Sequence, residues 1–118
     1  MIFIDTCILI DYIKGKIEIS DSEFENYCIN SIVQLEFVAG ALDKKELKKI
    51  NQVLSKFKLV EIDQDVLTLS VDLLNKYKLS HNMGIYDAII ASSCMIYELP
   101  LWTFNKKDFR FLEIELKN

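Results

Sequence analysis

The sequence predicts an α/β protein, an α/β/α sandwich with a mostly parallel central sheet flanked by helices. Two observations favour this class. Short apolar runs typical of buried strands alternate with longer stretches that have helical periodicity, and such alternation implies parallel strands joined by crossover helices. In addition, 3 glycines and 1 proline among 118 residues leave little room for linkers. We therefore expect a single domain spanning residues 1–118.

Composition narrows the function classes. The chain is 51% apolar with a formal net charge of -4, which argues against a non-specific nucleic-acid coat. A nuclease stays possible, because bound metal ions can supply positive charge at a site. Cys7, Cys28 and Cys94 are odd in number and lie in apolar stretches, which favours buried thiols in a reducing compartment. No basic segment precedes the first apolar run, so we expect a cytoplasmic protein.

The N-terminal residues predict a strand followed directly by a capped helix. The apolar run 2–4 predicts a buried strand, and Asp5 or Thr6 can cap a helix that continues to Ile13. The acid-rich stretch 18–26 is expected to form a surface helix or loop.

Two capping-box patterns predict the next helices. Ser31 with Gln34 predicts a helix that runs to Leu42, and Asp43 with Glu46 predicts a second helix directly after it. Apolar residues then recur at helical spacing at Leu47, Ile50, Val53, Leu54 and Phe57.

The second half predicts two more helices between short strands. Residues 59–62 favour a strand, and Asp63 can cap the helix that follows. Residues 85–98 form a helix that is apolar nearly all round and is therefore expected to be central. Residues 101–104 predict another strand, with a possible edge strand over 111–116.

Four of the 18 acidic residues lie in apolar sequence surroundings, where burial of a charged side chain is destabilising. Asp5 follows an apolar strand, Glu36 lies within an otherwise apolar helix, and Asp87 begins the central helix. Asp108 follows the predicted strand over 101–104. A buried carboxylate must be paired, hydrogen-bonded or bound to a metal, and the chain has one arginine, Arg110. The pattern indicates a divalent cation, and oxygen-only ligands select Mg²⁺ or Mn²⁺.

Each acid taken alone also has a structural interpretation. Asp5 can be a helix cap, Asp87 a first-turn acid favoured by the helix dipole, and Asp108 a turn residue. Glu36 lies too far into its helix for a cap. The functional interpretation depends on the four acids together.

Four segments carry a family resemblance through nearly the whole chain, in order and with helical stretches between them. They are residues 2–10, 31–40, 86–91 and 101–109. In this arrangement they resemble the PIN-domain nucleases, and within these the VapC-type toxins of toxin–antitoxin pairs.

The resemblance implies a PIN-like fold and a metal-dependent endoribonuclease that hydrolyses RNA phosphodiester bonds with Mg²⁺ or Mn²⁺. The implied catalytic and metal-binding acids are Asp5, Glu36, Asp87 and Asp108. The fourth position can fall on Asn105 or Asp108; we expect Asp108 to be the acid and Asn105 a supporting metal ligand. Thr6 and Thr103 are expected to support the site through their hydroxyls.

The resemblance also implies partners, namely an RNA substrate, a cognate antitoxin and a second copy of the chain. Lys106, Lys107 and Arg110 lie beside the predicted site and are the candidate RNA-binding residues, although ordinary surface charge explains them equally well. Lysines of the stretch 44–49 are assigned to a solvated helix face.

Other classes fit less well. A haloacid-dehalogenase-type phosphotransferase requires a second aspartate two residues after the first, where this chain has Cys7. A receiver domain requires paired acids after the first strand, which are not evident. A catalytically inactive PIN-like module that binds RNA or protein stays open.

Overall fold

The computed structural model describes residues 1–117. Helices and strands alternate along most of the chain. Their order is β1 (Ile2–Ile4), α1 (Thr6–Ile13), β2 (Tyr27–Ile29), α2 (Ser31–Ala39), α3 (Lys44–Leu54), β3 (Lys58–Leu59), α4 (Gln64–His81), α5 (Ile85–Ile96) and β4 (Leu101–Trp102). Two 3-10 turns cover Asp21–Asn26 and Lys106–Asp108.

The four strands form one parallel sheet in the order β3-β2-β1-β4, which confirms the predicted α/β class. Phe3 of β1 pairs with Cys28 on one side and with Leu101 on the other. Parallel strands end at the same edge of a sheet, and in open α/β folds sites gather there. Residues that directly follow β1, β2 and β4 therefore meet at this edge.

Strand β2 was absent from the sequence prediction. It contains three residues, all buried, directly after the polar turn Asp21–Asn26. Such a short run shows no alternation from which a strand can be identified.

The other strand predictions need smaller corrections. The strand expected over 59–62 is β3, Lys58–Leu59. The expected edge strand over 111–116, which lies within the described chain, is reduced to an isolated bridge between Leu101 and Leu116.

The helix caps are mostly as predicted. Asp5 caps α1, and Asp43 caps α3 by accepting a hydrogen bond from the Glu46 backbone N–H at 2.7 Å. Helix α2 differs, because its N-cap is Asn30 rather than Ser31, and it ends at Ala39 rather than Leu42. An asparagine is as good a cap as a serine, and here it immediately follows the strand.

Helix α5 runs through the core, as its apolar sequence predicts. Every residue from 88 to 94 is buried. Small side chains let α4 approach it, and the Ser70 hydroxyl donates to Ser92 Oγ at 3.0 Å. Among residues 1–117, no helix is long and apolar enough to cross a bilayer.

Candidate functional site

Asp5 is the most enclosed acid of the candidate site, with 7% of its surface exposed. It lies at the end of β1, where its Oδ1 accepts a hydrogen bond from the Thr6 backbone N–H at 2.8 Å. Its Oδ2 accepts one from the Thr103 hydroxyl, also at 2.8 Å. Because Thr103 directly follows β4, pairing of β4 with β1 orients this carboxylate.

Glu36 approaches Asp5 from helix α2. The Thr6 hydroxyl donates to Glu36 Oε1 at 3.4 Å, so a single residue, Thr6, contacts both carboxylates. Burial raises the pKa of Glu36, and the negative charges of Asp5 and Asp87 raise it further, while the Thr6 hydrogen bond lowers it. Neighbouring acids therefore oppose its ionisation.

Asp87 lies in the first turn of α5, partly buried. Burial, together with the charges of Asp5 and Asp108, raises its pKa to about 6. Asp87 interacts with Asp5 and Asp108, and Glu36 with Asp5 and Asp87, so all four predicted acids belong to one electrostatic group.

Asn105 and Asp108 lie on the segment after β4. The Asn105 backbone N–H donates to Thr103 Oγ1 at 3.0 Å, which ties this segment to the Asp5 hydrogen-bond network. Asp108 is exposed on the 3-10 turn, and its charge acts on Asp87. Of the two, Asp108 is the residue that adds negative charge to the group.

The four acids do not form a closed metal cage as placed. Within residues 1–117, no three His, Cys, Asp or Glu side chains stand close enough together to hold an ion. Burial first, and then repulsion by the charges of Asp5 and Asp108, raises the pKa of Asp87. The donors are carboxylate, amide and hydroxyl oxygens, a set that suits Mg²⁺ or Mn²⁺ in kind.

Two acids of the group, Asp5 and Asp87, also have a structural role at the start of a helix. Asp5 is the N-cap of α1, and Asp87 is a first-turn acid of α5. A cap or a dipole partner requires one carboxylate at a helix end. It does not require a second and third acid beside it, which is what surrounds Asp87.

Cys7 takes part in the site, which the sequence did not predict. Its thiol is 3.7 Å from Asp5 Oδ2 and 3.6 Å from Thr103 Oγ1, and its sulfur accepts from the Phe104 backbone N–H at 3.5 Å. Burial raises the pKa of this thiol, so it is an uncharged neighbour of Asp5. Cys28 and Cys94 are the buried thiols that were expected.

Basic side chains lie on two sides of the acids. Lys106, Lys107 and Arg110 belong to the segment that carries Asp108. A groove of about 900 Å³ also extends from Glu36. It is lined by Lys14, which follows α1, and by three lysines of α3 that the sequence assigned to a solvated helix face: Lys45, Lys48 and Lys49. Their common position along this groove becomes visible only in the folded chain.

Comparisons with known proteins identify the family of this chain. The PIN domain family matches residues 2–114. Ribonuclease VapC1 of Methanocaldococcus jannaschii is 34% identical over 98% of this chain and 85% of its own length. Ribonuclease VapC of Rickettsia bellii is 30% identical over 98% of this chain and 93% of its own. The solved toxin–antitoxin complex from Klebsiella pneumoniae contains a chain with a TM-score of 0.78 and 27% identity, covering 99% of this chain and 97% of that one. The chain therefore belongs to the PIN domain family.

Proposed function

We propose that the protein is a metal-dependent endoribonuclease, the toxin of a toxin–antitoxin pair, built as one PIN-like domain over residues 1–118. The observation that carries this proposal is the electrostatic group at the carboxyl edge of the sheet. Neighbouring negative charges raise the pKa values of Glu36 and Asp87, and a divalent cation would offset those charges. The names of the two relatives, both ribonucleases, support RNA as the substrate.

In this proposal, acidic and amide side chains of the chain bind the metal ion. Asp5, Glu36, Asp87 and Asp108 would hold the ion, with Asn105 as an additional oxygen ligand. When bound, Mg²⁺ or Mn²⁺ would lower the pKa of an attacking water and offset charge on the phosphate. In-line hydrolysis would leave a 5′-phosphate and a 3′-hydroxyl.

The two threonines keep these carboxylates in place. Thr103 holds Asp5 through its 2.8 Å hydrogen bond, and Thr6 links Asp5 to Glu36. Fixed carboxylates lose less conformational freedom on binding an ion, so these hydroxyls favour binding without touching the substrate.

Two surfaces beside the acids are the proposed binding sites for the partners. Lys106, Lys107 and Arg110 would contact RNA phosphates beside Asp108. The groove beside Glu36 combines lysines with apolar side chains such as Phe37, which suits an antitoxin segment that covers the site. The similar chain from Klebsiella pneumoniae is part of a toxin–antitoxin complex, which supports such a partner. We also propose a homodimer, and action in the cytoplasm, where free thiols such as those of this chain persist.

The alternative is a PIN-like module that binds RNA or protein without cutting it. A group of neighbouring acidic residues would not help such a module to bind RNA, because negative groups repel a polyanion. The set of four acids at one edge therefore favours hydrolysis.

Cleavage of RNA by the purified chain tests the proposal. Single-stranded and structured RNAs would be incubated with Mg²⁺, with Mn²⁺ and with EDTA. We expect metal-dependent cleavage that falls by about 10³-fold or more in Asp5→Asn and in Asp87→Asn. Asp65→Asn is the matched control, because Asp65 is an exposed acid in the first turn of α4.

The outcomes separate the alternatives. Cleavage that is equal in the wild type and both site variants would belong to a contaminating nuclease. RNA binding without cleavage in any metal would favour the binding module.

A further inference from the structure

A buried hydrogen bond joins the two helices that carry Glu36 and Asp87. The Asn30 side-chain Nδ2 donates to Ser93 Oγ at 2.9 Å, and both residues are fully buried. Asn30 is also the N-cap of α2, because its Oδ1 accepts from the Val33 backbone N–H at 3.1 Å. One amide therefore starts α2 and ties that start to α5.

The position of this bond relates to both acids in the same way. Glu36 lies six residues after Asn30 on α2, and Asp87 lies six residues before Ser93 on α5. At 1.5 Å per residue, each acid is about 9 Å of helix away from the bond. The charge of Asp87 acts on Glu36, so both helices extend from the bond toward the same site.

Burying two polar side chains at this position has a free-energy cost that an apolar pair would not have, which argues for a specific role of the hydrogen bond. A buried amide or hydroxyl without a partner is destabilising, and an apolar pair of similar shape would hold two helices together at least as well. A hydrogen bond differs from apolar packing in that it fixes a direction and a distance. The contact therefore constrains the start of α2 relative to α5 in a way that apolar packing does not.

We propose that the Asn30–Ser93 hydrogen bond is a positioning contact that sets the separation of Glu36 and Asp87, and through it the affinity of the site for its divalent cation. The proposal rests on the proposed function. Asn30 and Ser93 touch neither the ion nor the substrate; they act through the helices that carry the two acids.

Helix α5 supplies a matched control one residue away. Ser92 is as buried as Ser93, but its hydroxyl accepts from Ser70 of α4, a helix that carries none of the four acids. Loss of either serine hydroxyl removes one buried hydrogen bond. Only loss of the Ser93 hydroxyl removes a hydrogen bond to the N-cap of α2.

Binding of Mn²⁺ to the full chain tests the proposal, measured by the loss of the free Mn²⁺ signal in electron paramagnetic resonance. Ser93→Ala removes the bond. Asn30→Ser keeps a side-chain oxygen that can cap α2 but is too short to reach Ser93. We expect each to weaken Mn²⁺ binding roughly three- to tenfold. The double variant should be no weaker than the single ones, because both remove the same contact.

Thermal unfolding in EDTA gives the stability of each variant, and Mn²⁺ titrations are made below each unfolding transition. Ser92→Ala should lose comparable stability and keep its Mn²⁺ affinity within about twofold. Equal weakening in Ser92→Ala and Ser93→Ala, or unchanged affinity in Ser93→Ala and Asn30→Ser, would overturn the positioning role. Failure of the proposed function differs, since then the wild type would bind no Mn²⁺, or Asp5→Asn would bind it as well as the wild type.

Discussion

The Asp87 carboxylate lies where its charge is disfavoured, and this has a measurable effect on stability. Its pKa is raised from 3.8 to about 6 by burial and by its acidic neighbours. A raised pKa means that the folded state binds the proton more tightly than the unfolded state. The cost to stability is therefore present above pH 6 and fades as the pH falls from 6 toward 4.

Replacement of this charge should stabilise the metal-free protein. We expect Asp87→Asn to raise the free energy of unfolding at pH 7.5 in EDTA by roughly 1 kcal/mol, a value reduced for the solvent-exposed part of the side chain. The favourable interaction with the helix dipole that the variant loses is smaller, about 0.5 kcal/mol. Urea unfolding of the variant and the wild type at pH 7.5 and at pH 4.5 measures the difference in their free energies of unfolding.

The difference between variant and wild type should shrink at pH 4.5, where Asp87 is largely protonated. Asp65→Asn serves again as the exposed-acid control. A variant less stable than the wild type at pH 7.5 would show that Asp87 is compensated by a contact within the chain itself.

At the scale of single elements, helix α2 depends on a cap that lies one residue earlier than the sequence pattern indicates. Asn30 is fully buried and makes two hydrogen bonds, whereas Ser31 is exposed at the first helical position. The two residues should therefore respond very differently to the same substitution.

Asn30→Ala should lower the free energy of unfolding by about 2 kcal/mol, since it removes a cap and leaves the Ser93 hydroxyl without this partner. Ser31→Ala should change it by less than about 0.5 kcal/mol. Urea unfolding of both variants at neutral pH is the measurement. A larger loss in Ser31→Ala than in Asn30→Ala would restore Ser31 as the cap.

Elements with strong local signals were predictable, and those that depend on distant partners were not. Asp43 and Asp63 cap their helices through hydrogen bonds to residues three positions on, which sequence spacing alone reveals. Strand β2 has three residues and is stabilised by pairing with β1 and β3, so its own sequence carries little information.

The same distinction holds for the candidate site. Asp5 was identifiable because it directly follows an apolar strand, whereas Thr103 was expected only from the family resemblance. The part taken by Cys7 depends on a contact with Phe104, 97 positions away, and that of Asn30 on Ser93, 63 positions away. Only the folded chain brings such pairs together.

At the scale of the whole molecule, a bound cation should stabilise the fold, because a ligand that binds only the folded state adds to its stability. We expect Mg²⁺ at ten times its Kd to raise the unfolding temperature of the wild type by roughly 5 °C or more. Asp5→Asn should show little of this shift. Thermal unfolding followed by circular dichroism, with Mg²⁺ or EDTA, is the measurement.

An increase of the same size in Asp5→Asn would assign the stabilisation to ion binding elsewhere on the chain. Ca²⁺ provides a further comparison, because it is also bound by oxygen ligands but accepts looser geometry.

The hydrogen bond between Thr103 and Asp5 joins positions 98 apart, and β4 adds to the sheet beside β1, the first strand. A chain still being synthesised possesses Asp5 from the start, yet lacks the strand that orients it until residues beyond 103 leave the ribosome. The Asp5 carboxylate therefore acquires its final orientation only after nearly the whole chain has been made.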